Sequence, residues 1–439
     1  MAHAASLALA KGYVAVVPVA RGRNTVQELG GIPSEIGNAP ASIVDLKAIV
    51  RYLRYNDAIM PGNAERILIN GTSGGGAYTA ILGATGDSPA YEPYLEELGA
   101  ADPSDVIFAA APYCPITDLD NANMAYEWMF CGVERASQQG GALNEQDQVF
   151  SKVYADMFEC YISGLGLEDP ATGKTLTLSG GVTDKKAGSY VDYYRSVVEE
   201  SATKFFVESG YIAADGSLGA EGKAYLEGTI HIGEEARTVK PGDFLSWETE
   251  TGTVSVNDLG GYIRYMNRLK HVAAFDNGFR NVTAENDEFS TTPDITSNDV
   301  TVAGGWNHFD LNLSEAMAKA GTAGKPGYES PFGYQVSDEA AYLAAIMNPM
   351  YYLADYSGIS GIKVNPYAGE LYRSGTVAEN WRIRVGSTDR DTAQTVSLNL
   401  SLALKAQGKN VDYAIAWEQP HTGSYDNTDM FAWFESLSK

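Results

Sequence analysis

The sequence predicts an α/β fold in which a mostly parallel sheet is flanked by helices and a large second domain is inserted into the chain. Strand-like and helical patterns alternate up to about residue 128 and again from about residue 376, as they do where helices connect parallel strands. Between residues 129 and 375 this alternation is lost. We therefore predict one discontinuous α/β domain, residues 1–128 and 376–439, and one inserted domain, residues 129–375.

The first part of the α/β domain is predicted to contain three strands. Residues 1–12 resemble a helix, and Tyr13–Ala20 is apolar along its length, which is typical of a strand buried on both faces of a parallel sheet. Pro40–Tyr55 has apolar residues at helical spacing, whereas Arg66–Asn70 and Val106–Ala111 are apolar runs of strand length. Together these patterns predict one half of a parallel sheet.

The inserted domain is predicted to be helical at first and irregular later. Helical patterns cover Asn144–Ser163 and Ala187–Val207, and the alternating, Gly/Thr-rich stretch Leu226–Val256 predicts hairpins. Residues 280–330 are rich in Asn, Thr, Gly and Asp, which predicts a long loop.

The α/β pattern resumes near the C-terminus with two strands and two helices. Trp381–Val385 alternates as a strand does, Thr392–Gln407 has helical spacing, Val411–Trp417 is again strand-like and Asp429–Ser438 predicts a final helix. These elements complete the predicted sheet.

Composition and charge exclude several classes of protein. With 44% hydrophobic residues the chain can bury a large core, so it is not a disordered protein. The charge balance of 31 − 56 = −25 repels nucleic acid and anionic lipid. No apolar run approaches the roughly 18 residues of a spanning helix, and no basic leader precedes the first apolar run. We expect no nucleic-acid or membrane partner; the localisation is cytoplasmic by default, and the oligomeric state is not indicated.

A Gly-rich turn contains the first candidate for chemistry. The stretch 71–75 fits Gly-x-Ser-x-Gly after a predicted strand and before a helix. At such a turn small neighbours leave the Ser73 hydroxyl exposed as a nucleophile, and the Gly74 amide can stabilise an oxyanion. The alternatives are an ordinary Gly-rich turn or a phosphate cradle. No Gly-Lys-Ser/Thr follows, which argues against a nucleotide-binding P-loop.

A serine nucleophile needs a base and an acid, which follow it in the order Ser, Asp/Glu, His in this kind of fold. Of five histidines, only His421 follows the last predicted strand, where parallel sheets gather their sites. Asp389 follows the strand before it and is our candidate for the acid. Asp391 is the second candidate, but with Gln394 it resembles a helix-capping box.

Other side chains are weaker candidates. Asp118 and Asp120 follow the third predicted strand and are less favoured as the acid. The three cysteines, Cys114, Cys131 and Cys160, allow at most one disulfide and do not form a zinc cluster. No metal or organic cofactor is implied.

Several longer motifs resemble the bacterial tannases (tannin acyl hydrolases), which are α/β-hydrolases with a large lid inserted in the sheet. The motifs are GTSGGGA (71–77), YEPYLEELGA (91–100), APYCPITDLDNA (111–122), YEW (126–128), MNPM (347–350), WRIR (381–384), DRDT (389–392) and HTG (421–423). The resemblance implies a serine esterase acting on galloyl or related phenolic esters. It also implies an acid 32 residues before the histidine, which fits Asp389.

The resemblance further implies residues that hold the galloyl hydroxyls. The family's lysine corresponds to Lys270 in the stretch 270–276, its aspartate to Asp391, and its glutamate to Glu285 in the stretch 285–289, with Glu329 as a second choice. The substrate would then be a small phenolic ester. Three adjacent phenol groups can each pair with one charged side chain, which would distinguish gallate from a less hydroxylated ring.

The sequence also departs from the family's pattern. Val385 stands where a histidine is common, and Asn123 stands where an aspartate is common. If residues 1–12 are the helix that follows the second oxyanion loop, that loop and the early strands are missing, at a cost of roughly 100- to 1000-fold in rate. Alternatives are therefore a feruloyl or acetyl esterase with the same triad, an impaired remnant that binds phenolic ligands, and, last, a peptidase.

Overall fold

The computed structural model describes most of the chain. The described residues are 2–22, 25–29, 32–37, 39–133, 143–179, 188–228, 231–232, 235–236, 239–273, 275, 310–325, 328 and 338–437. Of the predicted elements, most of the loop at 280–330 lies outside these residues, as do both candidate glutamates, Glu285 and Glu329.

Helices make up most of the regular structure. In chain order they are α1 (Ala2–Ala10), α2 (Ala41–Tyr55), α3 (Gly74–Ala84), α4 (Glu92–Leu98), α5 (Leu119–Phe130), α6 (Glu145–Leu165), α7 (Ser189–Glu208), α8 (Ala220–Glu227), α9 (Leu259–Met266), α10 (Leu313–Lys319), α11 (Asp338–Ile346), α12 (Pro349–Leu353), α13 (Ala368–Leu371), α14 (Gln394–Ala406) and α15 (Asn427–Ser436). No helix of the described residues is long and apolar enough to cross a bilayer.

The strands form one parallel sheet and three hairpin-like pairs. They are β1 (Val26–Leu29), β2 (Ile32–Glu35), β3 (Leu68–Thr72), β4 (Ala109–Tyr113), β5 (His231–Ile232), β6 (Glu235–Ala236), β7 (Leu245–Glu248), β8 (Thr253–Val256), β9 (Asn380–Gly386) and β10 (Asn410–Ala416). The pairs β1–β2, β5–β6 and β7–β8 are antiparallel, and the last two confirm the hairpins predicted within 226–256.

The parallel sheet has the strand order β10–β9–β4–β3. Thr72 is in register with Tyr113 and Val385 with Ile415, so the carboxyl ends of all four strands meet at one edge. Strands β4 and β9 are buried along their whole length, because helices pack on both faces of a parallel sheet. The predicted α/β fold with a helix-flanked parallel sheet is confirmed.

The largest hydrophobic cluster joins residues from all parts of the chain. It contains Ile81 of α3 and Trp381 of β9 together with Phe158 of α6 and Tyr262 of α9. Trp128 on α5 packs against Phe158 with their ring centroids 5.4 Å apart. The helices of the central stretch therefore share their core with the sheet.

The predicted strand Tyr13–Ala20 is wrong. These residues have no regular secondary structure, and the side chain of Val19 is 92% exposed. A strand needs a hydrogen-bonded neighbour, and β3 pairs only with β4 among the described strands. The segment is fixed at its start, where Tyr13 stacks on Phe431 with 5.5 Å between the ring centroids.

Candidate active site

Ser73 lies at the sharp turn between β3 and α3, at the carboxyl edge of the sheet. Its backbone adopts φ 59° and ψ −119°, a strained conformation for a residue with a side chain. The turn closes tightly, since a Cβ atom on Gly71 would collide with the backbone of Gly75, and one on Gly76 would lie 2.5 Å from the Tyr113 carbonyl. The turn thus needs Gly71 and Gly76 for steric reasons, whereas Gly75 has open space around its Cβ position.

Gly74, the predicted oxyanion donor, is the first residue of α3. The first N–H groups of a helix have no intrahelical acceptor, and the helix dipole makes this end partially positive. An N–H in this position, next to the Ser73 hydroxyl, is suited to an anionic oxygen.

The structure brings the three candidate catalytic side chains into one hydrogen-bonded chain. Ser73 Oγ lies 2.8 Å from His421 Nε2, and His421 Nδ1 lies 2.9 Å from Asp389 Oδ2. With its proton on Nδ1, the neutral imidazole donates to the carboxylate and accepts from the serine hydroxyl. This is the geometry in which a histidine can act as a general base.

Asp389 is held in a buried turn after β9. Its Oδ1 accepts hydrogen bonds from the amides of Asp391 (3.0 Å) and Thr392 (3.2 Å), while its Oδ2 faces His421. The capping role that we considered for Asp391 is wrong, because α14 begins at Gln394 with Ala393 at its N-cap and no side-chain cap. The turn is instead organised by Asp389 itself.

The loop that carries His421 is tied to the loop that carries Asp389. The carbonyl oxygen of Gln419 accepts from the Thr388 amide (3.1 Å) and the Thr388 hydroxyl (3.0 Å). The Glu418 amide donates to the Ser387 hydroxyl (2.7 Å). These contacts fix the position of the imidazole relative to its carboxylate.

Electrostatics tune the acid and the base in opposite directions. Burial favours the neutral form of Asp389, but the charge of His421 and its hydrogen bond outweigh burial and lower the pKa of this carboxyl. Burial also disfavours the charged imidazole, yet the charge of Asp389 and its hydrogen bond raise the pKa of His421 above its usual range. The pair therefore stabilises the imidazolium that forms when the serine is deprotonated.

Cys114 is a site residue that our sequence analysis did not identify. It follows β4 with φ 43°, and its buried thiol lies 3.2 Å from the Thr422 carbonyl oxygen. The Asp389 carboxylate lies within 4.8 Å of this sulfur, and burial raises the pKa of Cys114 well above its usual range. Its position directly after a strand, at the same edge as Ser73, is the one signal that could have identified it.

Among the described residues, one group has the donor types and spacing of a metal site. It consists of Cys114, Asp389 and His421. Their donor atoms all lie within 4.8 Å of one another. Both imidazole nitrogens, however, already make the hydrogen bonds to Ser73 and Asp389. A metal on His421 would have to break this chain of hydrogen bonds.

Two of the predicted substrate-binding residues lie beside the triad. The ammonium nitrogen of Lys270 is 3.6 Å from Asp391 Oδ1, and both side chains are partly or mostly buried. The charge of Asp391 raises the pKa of His421 and that of Lys270 lowers it, which reflects how near the pair is to the imidazole.

Asp118 and Asp120 belong to a different network. Asp118 accepts from the Tyr161 hydroxyl (2.6 Å) and the Asn348 amide (2.9 Å), and Asp120 accepts from the Tyr351 hydroxyl. Since Asp389 holds His421, neither of these carboxylates has the position of the triad acid.

The positions that depart from the family's pattern are buried and have structural partners. Asn123 donates to Asp310 (2.9 Å) and accepts from the Phe275 amide (3.0 Å). Val385 is enclosed in β9 and belongs to the main hydrophobic cluster.

Comparison with known proteins gives one local and several full-length similarities. No protein-family profile matches the chain. A segment of 90 residues, 20% of this chain and 20% of that protein, is 36% identical to the esterase LipQ of Mycobacterium tuberculosis.

Among solved structures, the tannase of Lactobacillus plantarum is 30% identical over 99% of this chain and 80% of its own, with a TM-score of 0.72. The tannase of Fusobacterium nucleatum is 31% identical over 99% of this chain and 80% of its own, with a TM-score of 0.71. A tannin acyl hydrolase in complex with ethyl gallate is 30% identical over 100% of this chain and 79% of its own, also with a TM-score of 0.71. The chain thus spans about four-fifths of the length of these proteins.

Proposed function

The chain belongs to the bacterial tannases, a family of carboxylic ester hydrolases, and from this premise we propose that it hydrolyses galloyl or closely related phenolic esters. The observation that carries the proposal is the pair of hydrogen bonds, 2.8 and 2.9 Å long, that joins Ser73 to His421 and His421 to Asp389. A serine in a strained turn with a base and an acid in line is the arrangement used for acyl transfer.

In the first half of the proposed reaction, the Ser73 hydroxyl attacks the ester carbonyl while His421 Nε2 takes its proton. The negative charge that develops on the carbonyl oxygen is stabilised by the Gly74 amide at the start of α3. Asp389 stabilises the imidazolium but keeps its own negative charge. His421 then protonates the leaving alcohol, and an acyl-enzyme on Ser73 remains.

In the second half, water replaces the alcohol and His421 again acts as the base. Attack of the water on the acyl-enzyme forms a second tetrahedral intermediate at the same oxyanion position. Its collapse releases the free phenolic acid and returns the proton from the imidazole to Ser73. Every proton moves through His421, so no cofactor is needed in this scheme.

For substrate recognition, we assign the aromatic ring to the side of the triad where Lys270 and Asp391 lie. The Lys270 ammonium and the Asp391 carboxylate lie 3.6 Å apart. The ammonium can donate to one phenolic hydroxyl and the carboxylate can accept from its neighbour, each through a charge-assisted hydrogen bond of about 1.5–3 kcal/mol. The complex of a related tannin acyl hydrolase with ethyl gallate supports this substrate class. A third charged partner, Glu285 or Glu329, completes the proposed set.

We further propose that residues 1–128 and 376–439 act as the catalytic domain and residues 129–375 as the substrate-binding lid. The triad comes from the first two stretches and Lys270 from the third. Contact between Lys270 and Asp391 supports a site at which the two parts meet.

Hydrolysis of methyl gallate by the Ser73→Ala variant tests the mechanism. We expect loss of about 10⁴- to 10⁶-fold in kcat, because the nucleophile is removed. Ser196→Ala, on the exposed surface of α7, is the matched control and should retain full activity. Equal turnover by both variants would exclude Ser73 as the nucleophile.

Comparing methyl gallate with methyl ferulate and a simple acetate ester tests the substrate class. We expect kcat/KM to be highest for methyl gallate. A preference for methyl ferulate or the acetate would contradict the galloyl assignment while leaving the triad intact. A wild-type protein that binds gallate without hydrolysing any of the three esters would contradict the proposed activity itself.

A further inference from the structure

Tyr126 uses its whole hydrogen-bonding capacity on backbone groups of the two segments that carry Lys270 and Asp391. This tyrosine lies on α5 and is 1% exposed. Its hydroxyl oxygen accepts from the amides of Leu269 (3.0 Å) and Lys270 (2.8 Å). Its hydroxyl hydrogen is donated to the carbonyl of Arg390 (3.2 Å). A phenolic hydroxyl has one hydrogen to donate and can accept two, so nothing is left for a substrate.

The two segments come from distant parts of the chain. Leu269 and Lys270 follow α9, whereas Arg390 belongs to the turn after β9. The hydroxyl oxygen of Tyr126 joins them beside Lys270 and Asp391, whose charged groups lie 3.6 Å apart. Tyr126 therefore contacts the backbone of Lys270 and of the residue before Asp391.

A buried ion pair supports the same segment from α5. Arg268 donates from Nε to the carbonyl of Lys270 (3.0 Å) and pairs with Glu127, and Glu127 in turn accepts from the Ser151 hydroxyl. The Arg268 guanidinium lies 5.3 Å from the centre of the Tyr126 ring. The backbone of Lys270 is thus held on both its N–H and its C=O group, which limits the movement of its side chain.

We propose that Tyr126 is a positioning residue for substrate specificity: its hydroxyl sets the spacing at which Lys270 and Asp391 receive adjacent hydroxyls of the substrate ring. The inference rests on the proposed function, because it requires that this pair binds the hydroxylated ring. It adds a determinant that touches neither the substrate nor the triad. Charge-assisted hydrogen bonds depend strongly on geometry, so a small change in this spacing alters recognition more than chemistry.

Tyr126→Phe tests the inference, because it keeps the ring and its contact with Phe130 (centroids 4.6 Å apart) but removes the hydroxyl. Methyl gallate and methyl benzoate have the same ester group and differ in the three ring hydroxyls. We expect KM for methyl gallate to rise about tenfold with kcat changed by less than threefold. The kcat/KM for methyl benzoate should stay within twofold of wild type, so the preference for gallate falls about tenfold.

Tyr91→Phe is the matched control. Tyr91 is a fully buried tyrosine whose hydroxyl donates to the Ile346 carbonyl (2.6 Å). Loss of this hydroxyl should lower the melting temperature, as we also expect for Tyr126→Phe, but should leave the gallate-to-benzoate preference unchanged. Combining Tyr126→Phe with Lys270→Met should reduce the preference no further than Lys270→Met alone.

The outcomes separate this inference from the proposed function. A wild-type preference for methyl gallate that Tyr126→Phe retains overturns the inference alone. A wild-type protein that hydrolyses both esters equally well overturns the substrate proposal together with the inference. A tenfold loss of both kcat values without a change in preference assigns Tyr126 a structural role only, and also overturns the inference.

Discussion

At the scale of single residues, Cys114 contacts the loop that carries His421 and lies close to Asp389. Its S–H donates to the Thr422 carbonyl at 3.2 Å, and its sulfur lies within 4.8 Å of the Asp389 carboxylate. Because Thr422 adjoins His421, the Cys114 thiol lies near both His421 and Asp389. A small polar group at this position therefore keeps the two loops in register.

We expect Cys114→Ala to lower kcat for methyl gallate about tenfold, because a buried acceptor loses its donor, which costs roughly 1–3 kcal/mol. Cys114→Ser replaces the S–H with an O–H and should stay within about threefold of wild type. Steady-state kinetics of both variants, with melting temperatures measured alongside, checks this. Equal activity of Cys114→Ala and wild type would show that the thiol only fills space.

The charges beside His421 predict opposite shifts in the pH profile. The pKa of His421 is raised overall, with Asp391 raising it and Lys270 lowering it. In the proposed mechanism the neutral imidazole is the base, so kcat/KM should rise with pH through this raised pKa. Asp391→Asn should move the acidic limb to lower pH and Lys270→Met to higher pH.

These shifts should be measured on methyl benzoate, whose hydrolysis does not depend on contacts with ring hydroxyls. Ser196→Ala provides the control with unchanged charge at the site. Movement of both acidic limbs in the same direction would contradict the assignment of this limb to His421.

The three residues of the proposed triad could be selected from the sequence because they have local or ordinal signatures. Ser73 stands in a turn that only glycines allow to close, and His421 is the histidine that follows the last strand. Tyr126 had no such signature, and Cys114 had only its position after a strand. Both stand in apolar surroundings typical of a core, and their roles depend on contacts with residues more than 140 positions away.

At the scale of elements, the sheet and its helices agree with the predictions except where pairing overrides local preference. Strand β3 runs to Thr72, beyond the predicted end at Asn70, because Gly71 and Thr72 continue the register with Pro112 and Tyr113. Glycine and proline favour strands poorly, so composition could not indicate this extension. Tyr13–Ala20 shows the reverse, since a strongly strand-like composition forms no strand without a paired neighbour.

The junction of α5, α6 and α12 contains a buried carboxylate, Asp118, at the N-cap of α5. It accepts from Asn121 (2.8 Å), Asn348 (2.9 Å), Tyr161 (2.6 Å) and Tyr356 (3.3 Å). Burial raises its pKa to about 6 even though these donors oppose the shift, and the neighbouring charge of Asp120 adds to the increase. The element junction is therefore built around a group that resists ionisation.

The sign of the resulting pH dependence follows from linkage. Between about pH 4 and pH 6 the folded protein binds a proton on Asp118 that the unfolded chain, with an ordinary Asp pKa near 3.9, does not. The contribution of this proton binding to the free energy of unfolding is fully present below pH 4 and is lost as the pH rises through 6. Ionised Asp118 then lowers the free energy of unfolding by about 3 kcal/mol.

We therefore expect Asp118→Asn to gain stability relative to wild type by about 3 kcal/mol between pH 4 and pH 7. Denaturant unfolding of both proteins at several pH values checks this, because the titrations of other groups cancel in the difference. A stability difference that does not vary with pH would contradict the raised pKa.

At the scale of the whole molecule, the central stretch of the chain is joined to the sheet by more than surface contacts. Tyr190 and Tyr194 of α7 donate to side chains of α14, namely Asn399 and Gln394, at 2.7 Å each. Tyr262 of α9 stacks on Trp417 after β10, with 5.8 Å between the ring centroids. The division at residues 128 and 375 was predicted from a change of pattern, and no pattern could indicate how much core the two parts share.

A shared core predicts that the whole molecule unfolds in one transition. Chains of this length often unfold through intermediates, but here the largest hydrophobic cluster contains residues from all three stretches. Differential scanning calorimetry should therefore give one peak whose calorimetric and van't Hoff enthalpies agree. Two separated peaks would mean that the central stretch folds on its own.

Arg268→Met tests this coupling at a single buried contact. Arg268, after α9, and Glu127, on α5, form an ion pair with both side chains almost completely buried. Removing one partner leaves an uncompensated charge, which costs about 3–5 kcal/mol, or roughly 3–5 °C for a chain of this length. The single peak should move as a whole, and the double variant Arg268→Met/Glu127→Leu should recover part of the loss, because it leaves no unpaired charge. If Arg268→Met instead splits the peak and shifts only one part, this ion pair lies at the boundary between two units that unfold independently. Measuring the activity of the separated catalytic part would then define where the two units divide.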